Sequence, residues 1–448
     1  MNKNAWAFRL FLGTLLWTSV LIGQVQAEEP AIQPGVLIVK LKAMTGLSVY
    51  TATSALDKLN AQIGIVSQAP IQFPSKTKAL QAKANPTLFI YQLPSNITPT
   101  EAAKLYQAQP GIEYAEPCYY VQLDEAPNQP IQQPYLFKTE LKNMLLLPSN
   151  SDIVVAVIDS GVDSLCPDLQ DKVDTARGYN FYGWMQGNLQ LVPRDDYGHG
   201  THIAGIIAAS ANGTVGITGL NTKAKILPIR FTDGGGRGTQ LDAAAAIHYA
   251  VDMKARIINC SWGYYQYNQV LKEAIEYALS KGVIVIAAVG NDGFNAKQYP
   301  AAFDGVLSIG SVDAKKKHLA FSNSGDYLDF VTYGDNLYST LPNGQYGAKS
   351  GTSQSAALFT GIVARILSFK TELSPKELQT LLIQNSDLID TASKDELTGY
   401  GILNIPKLFK ALDAPVDLEN PTQEEHEALW ITVLLLPLRL LEGLFKLF

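Results

Sequence analysis

Residues Asp152–Asp159 read DIVVAVID: six apolar residues, five of them β-branched, closed by a carboxylate. A run that apolar has no face to give to water, so as a strand it belongs in a sheet covered on both sides. Three further runs share the texture: AKILPIRF (224–231), ARIINCSW (255–262) and GVIVIAAVGN (282–291). Between them lie Ala-rich stretches of helical length, DAAAAIHYAVDM (242–253) and VLKEAIEYALSKG (270–282). Buried strands alternating with helices predict an α/β fold over 151–413, a mostly parallel sheet with helices on both faces. In such sheets function gathers at the carboxyl ends of the strands.

Polar residues stand at those ends. Asp159 closes the first run and Asn291 the last, and His199 lies in a Gly-rich turn, DDYGHGTHIAGIIAA (195–209), that leads into an apolar helix. Ser353 begins another apolar helix in KSGTSQSAALFTGIVARIL (349–367). Each has an ordinary structural role open to it: cap, turn residue or turn histidine. The hydroxyls of Ser350 and Thr352 are the expected caps of the last helix. Together, however, the four form an acid, a base, an amide donor and a hydroxyl. A serine hydroxyl is a weak nucleophile until an imidazole takes its proton, and the imidazole needs a carboxylate to hold its tautomer. A side-chain amide donating to the developing oxyanion is worth about 3 kcal/mol.

The rest of the chain bounds the possibilities. With 448 residues, 47% of them hydrophobic, it can bury a large core in more than one domain. A net charge of −6 with 17% charged residues gives no electrostatic footprint for nucleic acid. Three cysteines, Cys118, Cys166 and Cys260, make neither a disulfide framework nor a metal spacing. His199 and His202, three apart and outside an H-E-x-x-H pattern, make a poor zinc pair. Residues 1–27 carry Lys3 and Arg9, an apolar run from Leu10 to Ile22 and a Val25-Gln26-Ala27 cleavage site, which predicts a signal peptide and a secreted or extracytoplasmic protein. Residues 28–124 read β-α-β-α-β, a small α+β unit of ferredoxin-like kind. The Pro- and Gln-rich linker and segment 125–150 follow. The tail, 414–448, is acidic and then amphipathic, which suits a membrane surface or a partner.

The blocks VVAVIDSGVD, GHGTHIAGIIAA and SGTSQSAALFTGIVA resemble, in order, the signature segments of the subtilisin-like serine peptidases, the subtilases. The likeness continues through FTDGGGRGT, NCSWG, AAVGND and GYGILN, from about Ile153 to Asn404. The chain order Asp…His…Ser of subtilisin is kept, whereas an α/β-hydrolase needs Ser…Asp…His. The resemblance implies Asp159 as the orienting acid, His199 as base and then acid, Ser353 as nucleophile and Asn291 as oxyanion donor. It implies that Ser261, Trp262 and Gly263, with Gly236 and Gly238, pair with an extended peptide substrate. Residues 28–124 then correspond to an inhibitory propeptide and the chain to a zymogen. Asp168 matches a calcium ligand, although Asn212-Gly213 lacks one oxygen ligand of the family pattern. Gln298 aligns with the floor of the specificity pocket and implies medium-sized or polar residues there. Gln354, Ser355 and Ala357 stand where the family usually has Met, Ala and Pro. That departure leaves a second reading, a catalytically silent relative bound to a membrane or partner through its tail.

Overall fold

The computed structural model describes residues 31–42, 56–71, 73, 87–123, 140–184, 194–211 and 216–415. The expected signal peptide, the linker up to residue 139 and the tail from residue 416 lie outside the described residues.

The N-terminal unit consists of strands β1 (Ile32–Leu41), β2 (Ser67–Pro70), β3 (Leu88–Gln92) and β4 (Ile112–Leu123), with helix α1 (Pro99–Gln107) and helical residues 56–63. All the pairings are antiparallel, in the order β4-β1-β3-β2. Helix α1 starts where its sequence says it must. Thr98 accepts from the Glu101 N–H while Glu101 accepts from the Thr98 N–H, a reciprocal cap, and Pro99 opens the first turn. The apolar face of the sheet packs on the helices through Leu37, Val39, Tyr91 and Tyr106.

The larger unit is built on seven parallel strands. In chain order they are β5 (Ile153–Asp159), β6 (Tyr179–Asn180), β7 (Ala224–Arg230), β9 (Ile257–Cys260), β11 (Ile284–Ala288), β12 (Leu307–Val312) and β13 (Phe330–Tyr333). They lie side by side as β13-β12-β11-β9-β5-β7-β6. The four quoted runs are thus strands of one sheet, buried throughout save Val154 and Lys225 within them. Helices α2 (His199–Ala208), α3 (Gln240–Asp252), α4 (Gln269–Ser280) and α5 (Thr352–Phe369) cover it. Helix α5 packs on β9, β11, β12, β13 and α2, and every residue from Thr352 to Ser368 is buried. Its one cation, Arg365, is satisfied by the carbonyls of Leu145, Leu147 and Leu220, which tie the segment Glu140–Leu146 to the core.

The two units share β4. Its first part pairs with β1; its last residues pair antiparallel with β8 (Arg237–Thr239) on one side and β10 (Trp262–Gly263) on the other. The register sets Val121 opposite Gly238, Gln122 opposite Gly263 and Leu123 opposite Trp262. Val121 and Leu123 are buried and Gln122 is exposed, the alternation of a strand with one face on a core. Two helix starts reach β4 as well. The Gln240 carboxamide donates to the Pro117 carbonyl and accepts from the Tyr119 N–H. The Glu116 carboxylate accepts from Asn268 Nδ2 and from the N–H groups of Gln269 and Val270 at the start of α4.

Candidate active site

Asp159 ends β5 and His199 begins α2, and the fold brings them together: Nδ1 of His199 lies 2.8 Å and 3.0 Å from the two carboxylate oxygens. Both side chains are fully buried. The Ser160 N–H also donates to Asp159 Oδ1, at 2.7 Å. A carboxylate on Nδ1 holds that proton in place and leaves Nε2 as the basic nitrogen.

Ser353 sits in the first turn of α5 and is tied to Ser261 in both directions. Its Oγ donates to the Ser261 carbonyl at 3.0 Å, and the Ser261 hydroxyl donates to the Ser353 carbonyl at 3.1 Å. Asn259 holds Ser261 and Thr360 holds Asn259, so the nucleophile candidate rests on a buried polar chain running from β9 into α5. The expected caps are corrected here. The N-cap is Gly351, without a side-chain cap, at φ 149° and ψ 163°, a conformation only glycine adopts readily. The Ser350 hydroxyl is bonded to Asn336 and Asp335, and the Thr352 hydroxyl to Asn291 and the Gly290 N–H. The hydroxyls expected to cap the helix instead join it to the neighbouring loops.

Asn291 lies beside that helix start. Its Oδ1 accepts from the Thr352 N–H at 2.8 Å and from the Thr352 hydroxyl at 3.1 Å, which fixes the orientation of the amide. Its Nδ2 is buried and has no hydrogen-bond partner. An orphaned buried donor normally costs about 1–3 kcal/mol, and here it is held next to the first turn of the helix that carries Ser353.

Of the residues expected to pair with an extended peptide, Trp262, Gly263 and Gly238 pair with β4 and Gly236 is bonded to it, while Ser261 is tied to Ser353. Trp262 is clamped by its indole N–H on the Ile158 carbonyl and meets the Phe231 ring at a tilt of 52°. A Cβ on Gly238 would stand 2.3 Å from the Phe231 carbonyl oxygen, so no side chain is tolerated where Val121 pairs. The Leu123 N–H donates to the Gly236 carbonyl at 3.1 Å. The Gln298 side chain lies against Gly263 and Gly290, and its Oε1 accepts from Asn323.

Asp168, by contrast, is buried away from this group. Its Oδ2 accepts from the Ile217 N–H at 2.7 Å and from the Tyr346 hydroxyl at 2.9 Å. Both hydrogens go to one carboxylate oxygen, and residues 212–215, where the resemblance places the rest of a calcium site, lie outside the described residues. Among the described residues no cluster of three or more His, Cys, Asp or Glu could hold a metal. All three cysteines are buried and unpaired in disulfides. Sequence reasoning passes over Asp195 and Glu116. An acidic residue three before a glycine that opens a helix, as in Asp195–Gly198, is the signal for the first; the second acts across the chain and leaves no local signal.

The profile of the subtilase family matches residues 150–401. The thermophilic serine proteinase of Bacillus sp. (strain AK1) is 36% identical over 59% of this chain and 65% of its own length. Thermitase of Thermoactinomyces vulgaris is 36% identical over 50% of this chain and 77% of its own. The cell wall-associated protease of Bacillus subtilis (strain 168) is 35% identical over 70% of this chain but 38% of its own, so the chain spans well under the full length of some relatives. Among solved structures, fervidolysin from Fervidobacterium pennivorans, described as a keratinolytic enzyme related to subtilisin, aligns with a TM-score of 0.66 and 26% identity. That alignment covers 88% of this chain and 63% of the other. With its sheet, its helix starts and its ordered motifs all in agreement, the chain belongs to the subtilase family.

Proposed function

We propose that the chain is an exported serine endopeptidase made as a zymogen, with residues 28–124 as its inhibitory propeptide and 414–448 as an attachment segment. His199 takes the Ser353 proton as the hydroxyl attacks a peptide carbonyl, and Asp159 stabilises the imidazolium. Asn291 Nδ2 and the Ser353 N–H receive the oxyanion. His199 then returns the proton to the leaving amine, and water releases the acyl group by the same steps in reverse. The observation that carries the reading is the buried, partnerless Asn291 amide, held by Thr352 beside the nucleophile while the Asp159–His199 pair is already bonded. The propeptide reading is supported by β4, which fills the strand position between β8 and β10.

Fluorophosphonate labelling of the signal-free protein, before and after limited proteolysis of the N-terminal unit, tests both parts. The expected result is labelling at Ser353 that rises on proteolysis and is lost in His199→Ala. No labelling under either condition would refute the peptidase reading and favour a silent, tail-attached relative.

A further inference from the structure

Asp195 stands outside the four residues that carry the proposed chemistry, yet it is only 7% exposed and its carboxylate accepts five hydrogen bonds. Oδ1 takes the Ser160 hydroxyl at 2.8 Å, the Gly198 N–H at 2.6 Å and the Tyr197 N–H at 3.1 Å. Oδ2 takes the N–H of Thr201 at 2.8 Å and its hydroxyl at 2.5 Å. The N-cap of α2 is Gly198, which has no side chain to offer. Asp195 therefore supplies, from three residues upstream, the acceptor and negative charge that a cap would give. The N–H groups it grips flank His199 on both sides.

Ser160 links the same carboxylate to Asp159. A serine hydroxyl has one hydrogen, and two carboxylate oxygens compete for it: Asp195 Oδ1 at 2.8 Å and Asp159 Oδ1 at 3.2 Å. The shorter contact wins, and the Gly200 N–H fills the acceptor side of the oxygen at 2.9 Å. Asp159 Oδ1 is thereby left with the Ser160 N–H and His199 alone.

We propose that Asp195 is a positioning residue for the general base. It draws the Ser160 hydroxyl hydrogen away from Asp159, so that Asp159 keeps its full acceptor strength for His199, and it pins the backbone that carries His199. The inference rests on the peptidase reading above. Without the Asp195 charge the hydroxyl turns to Asp159 Oδ1 and shares its charge. The imidazolium is then held less firmly, the base is weaker, and the acid limb of the rate profile moves to lower pH. Other titratable groups around the pair, Cys260 at the end of β9, His202 on α2 and Lys349 at the end of the strand Gln345–Lys349, are untouched.

The test is the pH dependence of kcat and KM on a peptide substrate for the activated enzyme, Asp195→Asn, Ser160→Ala and the double variant. Each is normalised to sites titrated with fluorophosphonate, so that misfolded protein counts as lost sites. Asp195→Asn is expected to lose about 10- to 100-fold in kcat per site with KM nearly unchanged, and its acid limb moves down. In the Ser160→Ala background the same change no longer moves the limb. A profile that superimposes on wild type after scaling overturns the proposal, as does an equal shift with and without the Ser160 hydroxyl. If Asp195→Asn yields no titratable sites, Ser160→Ala alone decides. A limb that stays or rises supports the proposal, and one that falls overturns it. Failure of the wild type to label at Ser353 refutes the peptidase reading itself and this inference with it.

Discussion

Raising the pH is expected to loosen the hold of the N-terminal unit on the larger unit, and Glu116 is a main source of the effect. Burial pushes its carboxyl up from 4.5 to about 7, over the opposing pull of its three donors from the start of α4, and Glu273 adds to the rise. Undocking returns it to water and its ordinary value. Between those values the docked chain holds a proton that the undocked one has released. Docking is therefore strongest below pH 4.5 and weakens as pH rises through 7. At about 1.4 kcal/mol per pH unit the full effect is about 3 kcal/mol, a few hundredfold in the undocked fraction. Asp242, which burial also pushes up to about 7, acts in the same direction. His248 opposes them. Stacked between Phe73 and Tyr277 and lowered by burial to about 4, it supports docking fully above 6.5 and less as pH falls toward 4. Tyr119, Tyr264 and Glu273 also face Glu116, while Lys40 pairs with Glu273 and Glu113. Glu116→Gln isolates the share of this one residue. The assay is hydrogen exchange at the Leu123 amide in full-length Ser353→Ala protein, chosen to remove the proposed nucleophile, corrected for the intrinsic pH dependence of exchange. Protection should fall from pH 4.5 to 8, and by about 3 kcal/mol less when Glu116→Gln is added. An identical pH dependence in the two proteins would refute the reasoning.

Two further outcomes follow from other parts of the fold. Asn291→Ala removes the partnerless donor and should lower kcat about 10²- to 10³-fold with little change in KM; steady-state kinetics on titrated sites would show otherwise if the amide only holds Thr352. Phe359→Ala empties a fully buried position stacked on Phe330, with ring centroids 5.2 Å apart. A loss of about 3–5 kcal/mol is expected in urea unfolding, and a loss under 1 kcal/mol would mean that α5 is not anchored there.

The sheet was legible because its signal is local and repeated: DIVVAVID and its three counterparts are too apolar to be anything but doubly covered strands. The places of Asp159, His199 and Ser353 were legible for a related reason, since they close a strand or begin a helix, and Asn291 stands just past the end of β11. What stayed hidden depends on pairs far apart in sequence. IEYAEPCYYVQL reads as a strand, but nothing in it says that its last four residues leave their own sheet for β8 and β10, or that Glu116 will meet α4. The short strand SQAP (67–70) has no strand-like composition and exists because β3 offers it an edge. The capping expectation for Ser350 and Thr352 failed because Gly351 could take a conformation closed to other residues, which released both hydroxyls for other partners.

On the propeptide reading proposed above, β4 vacates its place in the active enzyme and a substrate takes it. β8 and β10 both pair with β4. At ~4.8 Å per strand spacing, they bound a slot that a single extended chain fills from side to side. A helix, about 10 Å across with its side chains, or a hairpin cannot be threaded into it. If the proposed function holds, a compact target would have to release a segment of its own backbone before any bond in it is at risk. Such a slot reads the local stability of its targets as much as their sequence, and well-ordered proteins would survive beside it while frayed ends and melted loops would not.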